Sequence, residues 1–306
     1  MVLVQLFFKN CILTSGNGRK MKKKIFLKNL IKIYIKYSIH VALAVVALSL
    51  VSAHFLQVKL PFKLLIFIFS STLLGYNFVK FTIIHHYKLS EKILSFSFLF
   101  LNGLATVALV ITFFTLNIEQ RLLTLTTSFL VLLYGRTFPF QQTNLRNQQG
   151  MKLYWVALCW VIITVGLPYL EAYKPNIISF LFWSFQVGIY VIVASLPFEI
   201  RDMYKDDHSL KTWPQQVGVH GTKKRGYGML IAATLLLLLF PNVSWVLKYT
   251  TILTQLLLFI FLWNSSRTRT FYYSSFWVEA LPLFWLLCVE VFSYLSNGND
   301  KQYAVF

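Results

Sequence analysis

The feature that most constrains this chain is a series of apolar runs, each near the length that crosses a bilayer. They fall at roughly 37–56, 62–80, 93–115, 120–134, 152–171, 177–197, 228–247, 249–264 and 274–294. A helix spanning the hydrocarbon core needs about 20 apolar residues, and the fourth and eighth runs are the short ones. Of the 306 residues, 57% are hydrophobic and 13% charged, whereas soluble domains carry about 25% charge. A disordered tail protein, a disulfide scaffold and a soluble enzyme are excluded on that balance. The expected fold class is all-α, a polytopic membrane bundle of about nine transmembrane helices over residues 37–295.

Charge sets the expected orientation. With the N-terminus inside and the runs alternating, 23 of the 29 Lys and Arg fall in inside segments and six in outside ones. Cytoplasmic loops collect Lys and Arg, so the N-terminus is expected in the cytoplasm and the C-terminus outside. The net charge of +19 follows from that rule, and no nucleic-acid reader motif accompanies it. Residues 1–36 read as a basic cytoplasmic segment and 296–306 as a short polar tail. Met21 opens Met21-Lys22-Lys23-Lys24, and the expected start is there, with 1–20 untranslated. Cys11, Cys159 and Cys288 form no CxxC pair, and no zinc or disulfide framework is expected.

The ten acids are unevenly placed. Glu199, Asp202, Asp206 and Asp207 fall within one short stretch, and no carboxylate precedes Glu91. On a helix, Asp202 and Asp206 share a face. Two carboxylates so placed repel unless a cation sits between them, and Mg2+ takes one or two carboxylates plus substrate phosphates. Lys205, Lys211, Lys223, Lys224 and Arg225 follow, suited to an anion. A solvated helix of mixed charge is the plainer reading. The long connection 198–227 is where function is expected.

These residues resemble the UbiA prenyltransferases, nine-helix membrane enzymes with two Asp-rich motifs over a central cavity. The second motif runs roughly Asp-x3-Asp-x3-Gly-x2-Thr-x-Pro. Asp202, Asp206, Thr212 and Pro214 follow it, with Leu210 near the Gly position and Thr212 one residue early. The first motif runs Asn-Asp-x2-Asp-x3-Asp. Here Asn77 fits, while Phe78, Phe81 and His85 hold the acid positions. The resemblance implies transfer of a prenyl group from a polyprenyl diphosphate to a lipophilic acceptor. It also implies Mg2+ at Asp202 and Asp206, in one site only because the first motif lacks its acids.

Lys80, one turn beyond Asn77, either supplies a fixed charge to a phosphate or snorkels to the interface. In the 134–152 region, the resemblance places a Tyr followed by Lys or Arg near the diphosphate. Tyr134, Arg136, Arg146 and Lys152 are the candidates, and positive-inside charge is the simpler account of each. The diphosphate-binding set is thus Asn77, Lys80, Arg146, Lys152 and Lys211. Glu279 and Glu290 lie in the last run, three turns apart and on one face; intramembrane acids are costly and mark function. His85 and His86 are adjacent and share no face. Two alternatives to a prenyltransferase are a non-catalytic relative that binds an isoprenoid or lipid, and a transporter. No pair of matching broken spans supports the transporter.

Overall fold

The computed structural model describes residues 31, 33–86, 96–136, 144–172, 176–241 and 243–297. The expected start at Met21, most of the basic segment and nearly all of the 296–306 tail lie outside the described residues. Among those described there are nine long helices and no strand. They are α1 (Ile39–Leu56), α2 (Phe62–His86), α3 (Phe96–Phe113), α4 (Ile118–Gly135), α5 (Lys152–Glu171), α6 (Ile177–Asp202), α7 (Trp213–Leu239), α8 (Trp245–Trp263) and α9 (Tyr273–Ser296). All but α4 and α7 are long and apolar enough to cross a membrane.

Local chemistry fixes the ends. Asn117 caps α4 by accepting from the Gln120 N–H at 2.8 Å, and Gln120 accepts from the Asn117 N–H at 3.1 Å. That reciprocal pair satisfies two donors the helix leaves open. Asn176 caps α6 in the same spirit, accepting from Ile178 and Ser179. Two helices carry a π-helical turn, Ile162–Gly166 in α5 and Tyr273–Val278 in α9. Each lies just before a proline, Pro168 and Pro282. Proline cannot donate to the carbonyl four residues back, so the ladder is already broken there and a wider turn costs little.

The helices pack side by side in chain order with α3 left out of the series: α1 on α2, α2 on α4, α4 on α5, α5 on α6, and so on to α9, which closes on α1. Helix α3 packs on α2. With 61% of its span buried against 11% for α3, α1 is the inner helix. Small residues let it sit there: Ala42, Ala44, Ala47, Ser49, Ser52 and Ala53 are all buried, as expected where helices approach closely in lipid. Trp183 of α6 and Trp285 of α9 fill the centre; the Trp183 indole donates to Ser52 Oγ at 2.9 Å and stacks on Phe55.

The long connection 198–227 is mostly helix. Residues 198–202 finish α6, and α7 begins at Trp213, some fifteen residues before its expected start. The helix runs past the apolar stretch and kinks at Gly218 (φ 69°, ψ 174°). What remains as a link is 203–212, with one 3-10 turn at His208–Leu210.

Candidate functional site

Alternating helices bring nine ends together on the cation-rich side: the start of α1, α3, α5, α7 and α9 and the end of α2, α4, α6 and α8. Helix α6 delivers most of the acids. Its last turn holds Glu199 and Asp202, and the chain then leaves the helix, so that Asp206 lies beyond it; the Asp206 N–H still donates to the Asp202 carbonyl at 2.9 Å. The two aspartates therefore turn to different partners.

Asp206 faces α5. Lys152, the first residue of α5, places Nζ 2.7 Å from Asp206 Oδ2 and 2.8 Å from Glu199 Oε1. Arg146, on the short turn before α5, stands 3.7 Å from Asp206 Oδ1. Glu199 is 3% exposed, Asp206 13% and Lys152 21%. Ions this far from water are costly unless paired, and the pairing is what permits them. Among the described residues, Glu199 Oε2 is the carboxylate oxygen of the cluster that is buried with no hydrogen-bond partner.

Asp202 faces Arg201. The guanidinium donates through Nε at 3.0 Å and Nη2 at 2.5 Å, and Lys205 adds a contact at 3.3 Å. Arg201 is itself fixed. Its Nη1 donates to Ser274 Oγ at 2.7 Å and Ser275 Oγ at 3.1 Å in the π-turn of α9, and its Cζ lies 5.3 Å from the Phe198 ring centre and 5.2 Å from that of Phe271. Sequence reading passed over Glu199 and Arg201 as site residues. The available signal was the spacing of Glu199, seven residues before Asp206, which is two helical turns.

Asn77 and Lys80 belong to a separate cluster. Asn77 is buried, accepts from Ser38 Oγ at 2.8 Å and donates to Asn102 Oδ1 at 3.0 Å. Lys80 Nζ donates to the Ile35 carbonyl at 3.2 Å and to Ser38 Oγ at 2.9 Å. Both side chains thus hold the entry to α1, where Ser38 takes φ 62°. Glu279 links the two clusters electrostatically, standing in the field of both Lys80 and Arg201. Glu290 is elsewhere, at the opposite end of the bundle, paired with His54 at 2.8 Å.

Lys211 is exposed at a left-handed position (φ 44°) and makes no ion pair among the described residues. Its turn is joined to the Arg146 turn by the Gly150 N–H, which donates to the Leu210 carbonyl at 2.8 Å. In the same link, the Ser209 N–H donates to Asp207 and holds its carboxyl below the usual range.

Beside the ion cluster lies a cavity of about 610 Å3, walled mainly by α2, α4 and α5, and no charged residue lines it among the described residues. Tyr76, Phe78, Tyr134, Trp155 and Trp160 supply its aromatic faces. The Trp160 indole donates to the Tyr76 hydroxyl at 2.7 Å, so neither buried polar group is stranded. Phe78, at the first acid position of the degenerate motif, is cavity wall. Tyr134 connects cavity and cluster: it lines the one and lies in the field of Lys152, Arg146, Glu199 and Asp206. Helix α5 joins them too, with Lys152 at its start and Trp155, Val156, Cys159 and Trp160 along the cavity.

An Mg2+ ion at Asp202 and Asp206 would need carboxylate oxygens that this donor set has already committed. Every carboxylate in it already meets an internal cation, and Asp202 and Asp206 share none. Among the described residues no group of three or more His, Cys, Asp or Glu gathers to hold a metal ion. As arranged, the residues do not fit a divalent cation.

No family model matches this sequence, and no curated protein does. A solved structure is similar: the apo structure of a UbiA homolog from Aeropyrum pernix K1, with a TM-score of 0.64 over 84% of this chain and 98% of that one, at 12% identity. The chain therefore has a UbiA-like fold, in a protein whose helices are those of an integral membrane protein.

Proposed function

We propose that this UbiA-like membrane protein is a divergent prenyltransferase that takes a polyprenyl diphosphate and passes its prenyl group to a lipophilic acceptor. One observation carries the reading: α5 presents Lys152 to an ion cluster at its first residue and apolar and aromatic side chains to a 610 Å3 cavity over the next three turns. That is the shape of an amphiphile with an anionic head and a hydrocarbon tail. The head group would meet Lys152 and Arg146, with Lys211 at the exposed rim. The tail would lie along Tyr76, Val131, Val156 and Trp160.

In this reaction the allylic C–O bond breaks and the diphosphate leaves with the electron pair. The allylic carbocation then alkylates the acceptor, which loses a proton. Fixed positive groups at the leaving oxygens stabilise the charge that develops there. Ring faces of the cavity stabilise the carbocation by cation–π attraction. The cation-rich end faces the cytoplasm in this reading, as the positive-inside rule requires. Asn77 and Lys80 act one step away, fixing the end of α2 whose Tyr76 and Phe78 wall the cavity.

A second reading is favoured by the ion pairing itself. Acids so fully engaged suit a protein that binds an isoprenoid or lipid without turning it over. Incubation of the purified chain with labelled geranylgeranyl diphosphate and a panel of quinone and aromatic acceptors separates the two. Release of diphosphate with formation of a prenylated product supports transfer. Saturable binding with no diphosphate released supports the non-catalytic protein.

A further inference from the structure

We propose that Lys152 occupies the place a divalent metal would need, so that this site holds its anionic head group on fixed protein cations and works without Mg2+. The inference rests on the reading above that the site takes a prenyl diphosphate, and it names how.

The geometry is that of a cation bridged by two carboxylates. Lys152 Nζ lies 2.8 Å from Glu199 Oε1 and 2.7 Å from Asp206 Oδ2, on two acids of the stretch that resembles the second motif. A metal at that point would have to displace the ammonium or stand against it, with like charges close together in a site of low polarity. Glu199 Oε2 has no partner among the described residues, but a lone oxygen whose twin already binds an ammonium is a poor seat for a second cation. Asp202 offers no alternative. Arg201 holds both its oxygens, and Arg201 is tied to Ser274 and Ser275 and lies against two rings. The other side of the bundle supplies no acid at the first-motif positions: Asn77 is followed by Phe78, and Lys80 adds a positive charge instead.

The charge balance agrees. Within direct ion-pair contact, Arg146, Lys152, Arg201 and Lys205 carry four positive charges against three on Glu199, Asp202 and Asp206, an excess of one among the paired groups. The donors are free to use it. An ammonium has three N–H groups, and two of Lys152's point at carboxylates, leaving one for a phosphate oxygen. Among the described residues Arg146 makes one ion-pair contact, at 3.7 Å, too long for a hydrogen bond, and its fork is suited to a bidentate phosphate contact. Acids of the stretch where Mg2+ was expected here seat and orient a lysine.

The test uses the full chain in detergent and a non-hydrolysable probe, farnesyl S-thiolodiphosphate. Its Kd is measured with excess Mg2+ and with excess EDTA, for wild type, Lys152→Ala and Arg146→Gln. Removal of the lysine alone strands Glu199, so a double variant, Lys152→Ala with Glu199→Gln, is measured beside it as the folded control. The expected result is a wild-type Kd that changes by less than about threefold between Mg2+ and EDTA. Arg146→Gln and the double variant weaken binding by about tenfold or more in both conditions, a factor of ten being the loss of one good contact. Mn2+ added alone gives no bound signal in electron paramagnetic resonance. Binding seen only with Mg2+, or a bound Mn2+ signal lost in Asp202→Ala, overturns the inference and leaves the proposed function standing. Absence of wild-type binding in both conditions removes the proposed function, and the inference with it.

Discussion

Lys152 and Glu199 meet at 2.8 Å, joining the first residue of α5 to the last turn of α6. Glu199 is almost fully enclosed, so its charge depends on that ammonium. Removing one member of a buried pair strands the other and costs about 3–5 kcal/mol. Because Lys152 retains a fifth of its exposure, Lys152→Ala is expected near the low end, about 3 kcal/mol. Thermal unfolding in detergent checks this, and adding Glu199→Gln should recover most of the loss. A Lys152→Ala protein as stable as wild type would show that the pair does not hold α5 to α6.

A second prediction separates close packing from mere helix position. A Cβ at Gly226 would stand 2.4 Å from Leu262 and 2.8 Å from Leu196, whereas one at Gly228 would meet nothing within 4 Å. Overpacking a fitted contact costs about 1–3 kcal/mol. Gly226→Ala should therefore lower stability by that amount, while Gly228→Ala, two residues on in the same helix, should not. Equal effects from the two would mean that α6, α7 and α8 do not meet at Gly226.

Arg201 makes a third case. Its planar fork serves Asp202, Ser274 and Ser275 together. A lysine cannot reproduce that geometry. Arg201→Lys should cost about 1.5–3 kcal/mol, the range of hydrogen bonds to charged groups. Loss of the serine hydroxyls in Ser274→Ala with Ser275→Ala should have little further effect in the Arg201→Lys background. Full additivity of the two changes in a double-mutant cycle would contradict the shared contact.

The cavity gives a fourth. Cys159 lines its α5 wall, and Cys159→Phe would shorten the space left for a hydrocarbon tail. Binding of a geranylgeranyl diphosphate analogue should weaken by about tenfold, with the geranyl analogue little changed, in line with the discrimination apolar pockets achieve. Equal weakening for both chain lengths would argue that the tail lies elsewhere.

Much of the fold was legible because apolar length marks a bilayer span directly. The run at 152–171 coincides with α5, and 62–80 lies wholly within α2. The run at 228–247 misplaced α7 for a physical reason: apolarity reports where lipid is, whereas helix continues wherever packing holds it. Residues 213–227 are polar yet helical, with the Lys223 ammonium donating to the Trp263 carbonyl and Gly226 wedged between neighbours. The site was legible in its residue types and less so in its pairings. Asp202 and Asp206 stand four apart in sequence, but α6 ends at Asp202 and the second carboxylate turns to another helix. That Lys152, 54 residues away, is its partner is a property of the bundle. Asn77 and Lys80 share a face as expected, and that face holds Ser38.

In the proposed function a prenyl chain lies in the cavity with its head at Lys152. The most direct measurement is photolabelling of the membrane-embedded full chain with a geranylgeranyl diphosphate analogue carrying a diazirine near the tail, followed by peptide mass spectrometry. The predicted result is labelling of cavity residues such as Tyr76, Val131, Val156 or Cys159, suppressed by unlabelled geranylgeranyl diphosphate. Labels confined to the outward-facing Leu104, Leu235 or Leu239, and undiminished by that competitor, would contradict it.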